Sequence, residues 1–281
     1  MSPSTIPYLP DATPVLPPAG WPSQSGKSFR AIYVGGPTVI LEIGGLRIMT
    51  DPTLDPAGGV YPIANTVYTK VFGPAISNVG SIDVVLLSHD QHHDNLDHKG
   101  RELLKNVNMT LTTKVGAARL KGSSRGLAVW ESVVLKAPNG DEILVTATPA
   151  RHGPVGFEAL SGEVIGFVLS VSGSCSFEVY LTGDTVFYEG VNQVAQRFSP
   201  RYVFMYAGAG QPRGPFNVTM DTNDALGTAA AFPHATMIPL HYEGWSHYTQ
   251  HAEAFRQAFQ ALGIGNRLRI LAAGISETLP V

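Results

Sequence analysis

Short apolar runs separated by turn-forming residues recur along the chain. The first three, at residues 29–34, 38–43 and 46–49, predict a meander of β-strands with a tight Gly44-Gly45 turn. Further strands are predicted at residues 84–87, 109–113, 127–135, 142–148, 164–171, 178–182, 202–206, 236–240 and 268–271, and helices at residues 99–104, 114–120, 186–197, 223–231 and 248–262. This order, with no linker inside it, favours one α/β domain over residues 29–281.

Three segments lack such periodicity. Residues 1–28 begin with a stretch rich in Pro and Ser, without the basic start and apolar run of a secretory signal, and are predicted to form an extended arm. Two long segments rich in Pro and Gly, residues 51–78 and 207–219, interrupt the domain. Loops of that length inside a compact domain are often functional. Two interpretations stay open for them, a substrate lid or a decoration without contact to substrate.

The composition restricts the chemistry further. The 281 residues are 44% hydrophobic and 15% charged, with a net charge of −3, so attraction to nucleic acid is not expected. No apolar run approaches the length of a membrane span, so none is expected. Cys175 is the single cysteine, which excludes an intramolecular disulfide and a zinc site built from several cysteines. Any metal site must therefore use His, Asp and Glu. A cytoplasmic protein is expected.

The densest chemical signal lies directly after the apolar run at residues 84–87. Residues 88–98, Ser-His-Asp-Gln-His-His-Asp-Asn-Leu-Asp-His, hold four of the nine histidines and three carboxylates. Divalent metals of intermediate softness prefer this mixture of imidazole nitrogen and carboxylate oxygen. A solvated loop would draw instead on Ser, Gly, Lys and Glu. The segment is therefore predicted to be a buried strand end that presents metal ligands.

Three more residues that could bind a metal each follow a β-rich run. They are His152, Asp184 and His241, after the runs at residues 142–148, 178–182 and 236–240. Functional groups of α/β proteins collect at the carboxyl ends of strands, where loops open a crevice. Four strand ends with possible ligands indicate a site more strongly than any one of them.

These motifs resemble those of the metallo-β-lactamase-fold hydrolases. The similarity lies in residues 88–97, 182–185 (Thr-Gly-Asp-Thr) and 239–242 (Pro-Leu-His-Tyr), and in an opening hairpin at residues 34–52. It covers nearly the whole chain in the expected order, and is greatest to the ascorbate-6-phosphate lactonase-like and N-acyl-phosphatidylethanolamine phospholipase D-like branch. The resemblance implies an α/β fold that is a four-layer αβ/βα sandwich.

The metal motif of this family is His-x-His-x-Asp-His, and the chain departs from it. With one extra residue after His89, the alignment places His92 second and Asp94 at the carboxylate, and Asn95 stands where the family has its last His. An ungapped alignment would put Gln91 second. The gapped alignment is preferred because residues 94–97, Asp-Asn-Leu-Asp, then match the family's Asp-His-Leu-Asp. His93 stays open as a substitute ligand.

The resemblance implies the roles of these residues. One metal would be bound by His89, His92 and His152; a second would be bound by Asp94 and His241, with Asp184 bridging. Asp94 and Asp184 are also the expected catalytic residues, since either could orient the attacking water and pass on its proton. The expected metal is zinc, one or two ions per chain. The amide at Asn95 makes manganese or iron an alternative in the second position.

The main functional prediction is a metal-dependent hydrolase that cleaves an ester, lactone or phosphodiester of a small molecule. Two alternatives stay open, a nuclease or phosphodiesterase that uses the same site and a degenerate member that binds a ligand without turnover. His247 and His251 lie four residues apart without the Glu of the metalloprotease pattern, and are predicted on an exposed helix face.

Overall fold

The computed structural model describes residues 28–63 and 66–281, and two large β-sheets form its centre. The first sheet contains, in spatial order, β15 (Ser276–Pro280), β1 (Ser28–Gly35), β2 (Thr38–Ile43), β3 (Leu46–Thr50), β6 (Val84–Leu86), β7 (Met109–Thr113) and β8 (Ser124–Leu127). The second contains β14 (Thr236–Leu240), β13 (Tyr202–Tyr206), β12 (Phe177–Leu181), β11 (Ile165–Ser172), β10 (Glu142–Pro149) and β9 (Ser132–Lys136). A small separate hairpin pairs β4 (Val60–Ile63) with β5 (Thr66–Thr69).

Helices cover the two sheets. They are α1 (His98–Leu104), α2 (Lys114–Leu120), α3 (Glu158–Ser161), α4 (Glu189–Arg197), α5 (Thr222–Ala231) and α6 (Ala252–Ala261), followed by a 3₁₀ turn at Gly265–Arg267. Leu104 of α1 packs with one face of the first sheet, and apolar residues of α4, α5 and α6 pack with the second sheet. Two sheets covered by helices form the α/β sandwich that the sequence predicts.

Alternate side chains of a strand enter different apolar cores on the two faces of the sheet. On β2, Val39 and Leu41 join the large core that unites the two sheets, whereas Ile40 joins a smaller core with Leu104. Side chains of a strand point alternately to opposite faces, so a strand that is buried on both faces reads as a continuous apolar run. All six residues of β2 are buried accordingly.

The strand directions bring several loops to one edge. In the second sheet β12, β13 and β14 are parallel, and β10 runs in the same direction because both β10 and β12 are antiparallel to β11. The carboxyl ends of these strands therefore share one edge of that sheet. In the first sheet β6 is parallel to both β3 and β7.

The structure corrects four element predictions. Residues 127–135 form two strands in different sheets, because the chain turns at Trp130, whose φ is +71°. Residues 268–271 are not a strand, and Leu268 makes a single bridge to Met237. Neither β15, whose only buried side chain is Leu279, nor the β4–β5 hairpin within residues 51–78 is predicted by the sequence pattern.

The predicted extended arm lies outside the described residues except for Ser28, which begins β1. Among the helices of the described ranges, none is both long and apolar enough to cross a bilayer.

Candidate metal centre

The histidine-rich segment runs from the end of β6 to the start of α1. Both of its ends are fixed by carboxylates. The Ser88 N–H donates to Asp51 Oδ1 at 2.6 Å, and Asp97 caps α1 by accepting from the Gly100 N–H at 2.9 Å. Between them, the Leu96 N–H donates to the His92 carbonyl and the fully buried Leu96 side chain enters the smaller core. The segment is thereby held as a compact loop in which the side chains of His89, His92 and Asp94 are buried.

Four predicted ligands converge at this point. One side-chain atom each from His89, His92, His152 and Asp184 lies within 4.8 Å of every other. His92 Nδ1 is 2.9 Å from His89 Nε2 and 3.1 Å from His152 Nε2, and His152 Nε2 is 3.5 Å from Asp184 Oδ2. Nitrogen ligands about 2.0–2.1 Å from a tetrahedral zinc ion lie about 3.4 Å apart. The spacing of these four groups, here called the first set, is close to that of a metal site.

A backbone contact determines which nitrogen of His152 faces the first set. His152 Nδ1 lies 2.8 Å from the carbonyl oxygen of Val218, which can only accept, so Nδ1 carries the proton. Burial and the neighbouring His92 lower the pKa of His152 to about 3, so the ring is neutral and Nε2 presents a lone pair. A backbone carbonyl that fixes the tautomer in this way is characteristic of metal-binding histidines.

A second group of predicted ligands adjoins the first set. Asp184 Oδ1 lies 3.4 Å from His241 Nδ1, and His241 Nε2 lies 3.7 Å from Asp94 Oδ2. All three side chains are buried, and Asp94 Oδ1, Asp184 Oδ2 and His241 Nδ1 have no hydrogen-bond partner. Buried polar atoms without partners are costly. A cation in the first set would satisfy the Asp184 oxygen, and among the described residues it is the four donors of the first set that lie close enough together to hold an ion.

His247 also belongs to this region, contrary to the sequence prediction. Its Nε2 lies 2.9 Å from Asp94 Oδ2, and its side chain is 8% exposed. Neither His247 nor His251 lies in a helix, because α6 begins only at Ala252. His251 is exposed and caps nothing with its side chain. The exposed helix face predicted for the pair is therefore wrong.

Asn95 stands at the position of a family histidine but has a different role. Its Nδ2 donates to Asp184 Oδ1 at 3.1 Å and lies 3.5 Å from Asp51 Oδ2. Asp51 follows β3, where no site residue is predicted from the sequence, and its φ is +26°. Asn95 thus links two carboxylates as a hydrogen-bond donor.

Gln91, the alternative for the second motif position, and His93, the possible substitute ligand, lie elsewhere. The His93 ring packs 5.0 Å from the Tyr61 ring and 5.2 Å from the His98 ring. Gln91 lies against Gly162. Of the three, it is His92 that the structure brings to His89 and His152, in agreement with the gapped alignment.

Burial sets the protonation of the whole region. It lowers the pKa of His89, His92 and His241, the last to about 4, so these imidazoles are neutral at pH 7. Burial, together with Asp94 and Asp51, raises the pKa of Asp184 well above its usual range. Burial also raises the pKa of Asp51, to about 7. Several carboxyls in one dry region repel one another, which a divalent cation would relieve.

Both long segments contact this region. Tyr68 of β5 stacks on His247 with ring centroids 4.2 Å apart, and the Ser246 N–H donates to the Thr69 carbonyl. In the segment at residues 207–219, the Gln211 N–H donates to the carbonyl of His247, and Val218 fixes His152. The two segments therefore contact residues of the site directly, and their role as a substrate lid stays a prediction.

The fold and the convergent ligands define the class of protein, an α/β protein of the metallo-β-lactamase fold. The chain belongs to the β-lactamase superfamily domain family, whose model matches residues 46–242.

Curated relatives match over most of their length. The UPF0173 protein YddR of Bacillus subtilis is 25% identical over 86% of this chain and 96% of its own. A UPF0173 metal-dependent hydrolase of Methanosphaerula palustris is 28% identical over 82% of this chain and 91% of its own. Among solved structures, an isothiocyanate hydrolase from Delia radicum gut bacteria is similar in fold, with a TM-score of 0.76 and 20% identity over 89% of this chain and 99% of that one. These findings place the chain among the metal-dependent hydrolases of the superfamily.

Proposed function

We propose that the protein hydrolyses an ester, lactone or phosphodiester of a small molecule, with one or two divalent ions bound at the buried strand ends. The observation that carries this proposal is the convergence of three neutral imidazoles and a carboxylate in the first set. Imidazole with carboxylate suits zinc, and also manganese or iron. The ascorbate-6-phosphate lactonase-like and phospholipase D-like branch stays a prediction, as does zinc itself.

The proposed chemistry divides between the ion and the protein. An ion bound by His89, His92 and His152 would lower the pKa of water to about 7 and polarise the oxygen of the scissile group. Asp184, between the two groups of ligands, is placed to orient the attacking water. His247 and His241 hold the pKa of Asp94 well below its usual range, so Asp94 stays ionised, and its partnerless Oδ1 would accept a hydrogen bond from the attacking water. The proton for the leaving oxygen would pass through Asp184, whose pKa burial raises.

The surrounding side chains limit access of bulk water. Tyr61, Tyr68, Trp245 and Tyr248 form a buried aromatic cluster beside His247 and His241. Low local dielectric strengthens the electrostatic interactions within such a site. Arg213 is exposed, and its charge acts on both His92 and Tyr68, so an anionic part of a substrate would be attracted to this side.

Metal removal tests the proposal. Protein purified without chelators would be assayed with p-nitrophenyl esters, a γ-lactone and bis-(p-nitrophenyl) phosphate, then stripped with a chelator and reloaded with Zn²⁺, Mn²⁺ or Fe²⁺. We expect hydrolysis of at least one class of substrate. Removal of the metal should lower the rate by at least about 10³-fold, and one of the ions should restore it, because the attacking water is activated by the ion.

The class of substrate that is cleaved distinguishes the alternative functions. Hydrolysis of the phosphodiester alone would favour the phosphodiesterase or nuclease. Metal binding without hydrolysis of any probe would favour a degenerate ligand-binding protein. Activity that survives complete removal of metal would contradict the proposal. His234→Ala, at an exposed loop histidine, is the matched control and should behave as the wild type.

A further inference from the structure

We propose that the site holds a single ion, bound in the first set, and that the side-chain N–H of Asn95 replaces a second cation at Asp184. This inference rests on the proposed function, because it concerns the metal content of that same site. It departs from the resemblance, which implies a second ion at Asp94 and His241 with Asp184 bridging. Asn95 becomes a positioning residue, which holds a ligand of the single ion.

The two oxygens of Asp184 have different surroundings. Oδ2 faces the first set, 3.5 Å from His152 Nε2, and has no hydrogen-bond partner. Oδ1 accepts from Asn95 Nδ2 at 3.1 Å. A carboxylate that bridges two ions uses one oxygen for each. Here one oxygen is free for an ion in the first set, and the other is already held by an amide.

The neighbours of Asn95 determine which way its amide points. An ion in the first set needs Asp184 as a carboxylate, which only accepts hydrogen bonds, so the nitrogen and not the oxygen of Asn95 must face it. The same nitrogen lies 3.5 Å from Asp51 Oδ2, and Asp51 is itself fixed by the Ser88 N–H at 2.6 Å. The Asn95 backbone N–H donates to the His92 carbonyl at 3.2 Å, so the fold fixes this fully buried residue at both ends.

His241 cannot join the two carboxylates around one ion. Its Nδ1 lies 3.4 Å from Asp184 Oδ1, whereas its Nε2 lies 3.7 Å from Asp94 Oδ2. The two carboxylates therefore face different nitrogens of the same ring. An imidazole gives one nitrogen to an ion, so an ion at either nitrogen would leave one of the carboxylates out of reach.

Asp94 is already engaged by His247. The His247 Nε2 lies 2.9 Å from Asp94 Oδ2, and a carboxylate only accepts, so this nitrogen carries the proton and has no lone pair for a metal. The lone pair of His247 is on Nδ1, on the other side of the ring. Among the described residues, the donors that approach one another closely enough to hold an ion are those of the first set.

The alternative is a second ion of a harder type. Asn95 Oδ1 is buried without a partner, and so is Asp94 Oδ1. Carbonyl and carboxylate oxygens suit Mn²⁺ better than they suit softer ions. A test with zinc alone would miss such an ion, so manganese must be included.

Metal stoichiometry of the wild type tests the number of ions. Chelator-stripped protein would be titrated calorimetrically with Zn²⁺ and, separately, with Mn²⁺, and the metal content after gel filtration would be measured by mass spectrometry. We expect one ion per chain from either salt. The electron paramagnetic resonance spectrum of the Mn²⁺-loaded protein should be that of an isolated ion, because two ions that share a carboxylate couple magnetically.

Variants of Asn95 test its positioning role. Asn95→Leu keeps nearly the same volume and removes the donor, and Asn95→Ala removes the donor with less risk of crowding. We expect both to bind one ion about 10–100-fold more weakly than the wild type, since Asn95 is an outer partner of a ligand. The visible spectrum of bound Co²⁺ should change, because a released Asp184 alters the coordination of the ion. Asn106→Leu, at an exposed asparagine that donates to the Glu102 carbonyl, should change neither quantity.

Each outcome decides part of the proposal. Two ions in the wild type from either salt, or a coupled Mn²⁺ spectrum, would overturn the single-ion centre but leave the hydrolase proposal intact if activity depends on metal. Wild-type affinity and an unchanged Co²⁺ spectrum in both Asn95 variants would overturn the role of Asn95. One ion without hydrolysis of any probe would support the single-ion centre and contradict the hydrolase. A wild type that binds no ion would overturn both.

Discussion

Asp184→Asn is expected to reduce metal-dependent hydrolysis by about 10³-fold or more while leaving the fold intact. The carboxylate lies between the first set and His241, with Oδ2 3.5 Å from His152 Nε2 and Oδ1 3.4 Å from His241 Nδ1. Loss of an outer partner of a ligand costs about 10–100-fold in metal affinity or activity, and loss of a direct ligand costs more. The asparagine is nearly isosteric, so packing is retained.

The stability of the metal-free protein gives an independent readout. Burial, Asp94 and Asp51 raise the pKa of Asp184, so its charge is unfavourable without an ion. Stripped Asp184→Asn should therefore unfold at a temperature equal to or above that of the stripped wild type. Added metal should stabilise the wild type strongly and the variant little, since stabilisation follows the affinity of the folded state.

Asp224→Asn is the matched control. Burial and the neighbouring Asp221 raise the pKa of Asp224 to about 6, but this half-buried residue lies in α5 and not among the ligands. The same chemical change there should leave metal binding and activity unaltered. Full activity of Asp184→Asn would contradict the role proposed for Asp184.

Asp97→Ala is expected to destabilise the protein by about 3–5 kcal/mol, the cost of breaking a buried ion pair by removing one partner. Asp97 Oδ2 accepts from Lys70 Nζ at 3.0 Å and from the Asp55 N–H at 2.6 Å, and Oδ1 caps α1 through Gly100. Lys70, which is 2% exposed, would keep the Thr53 carbonyl but lose its counter-charge. Chemical denaturation at pH 7 measures the loss.

Two variants serve as controls for this prediction. Glu102→Ala breaks the exposed pair with Lys105 and should cost about 0–1 kcal/mol. Asp97→Ala combined with Lys70→Met removes both buried charges and should be less destabilised than Asp97→Ala alone. A free energy of unfolding for Asp97→Ala within 1 kcal/mol of the wild type would show that the pair does not hold α1 and the segment at residues 51–78 together.

Much of the fold could be predicted because the patterns that define strands, helices and turns are local in the sequence. Apolar runs of strand length, helical periodicity and Gly turns each depend on neighbours within a few residues, and nearly all strands of both sheets were predicted from them. The failures have a common cause. A single apolar stretch at residues 127–135 contains a turn between two sheets, and β15 has only one buried side chain, so the pairing partner decides its structure.

The site could be predicted in part for a similar reason. His89, His152, Asp184 and His241 each follow a predicted strand, and the parallel arrangement brings most of those strand ends to one edge. His247 was predicted on an exposed helix face, and Asp51 was not predicted as a site residue. His247 lies seven residues beyond the end of β14 in a segment of mixed composition, and a lone Asp before a Pro is common in turns.

By itself, the sequence determined the α/β class, the membership of a metal-binding superfamily through its motifs, and the types of ligand available, since one cysteine leaves only His, Asp and Glu. Only the tertiary structure decided which histidine joins His89, which way the Asn95 amide points, and that His247 meets Asp94. The physical reason is the distance along the chain over which each property is determined. Residue type and periodicity are local properties, whereas a contact between residues 153 positions apart exists only after the second sheet has brought the loops after β6 and β14 together.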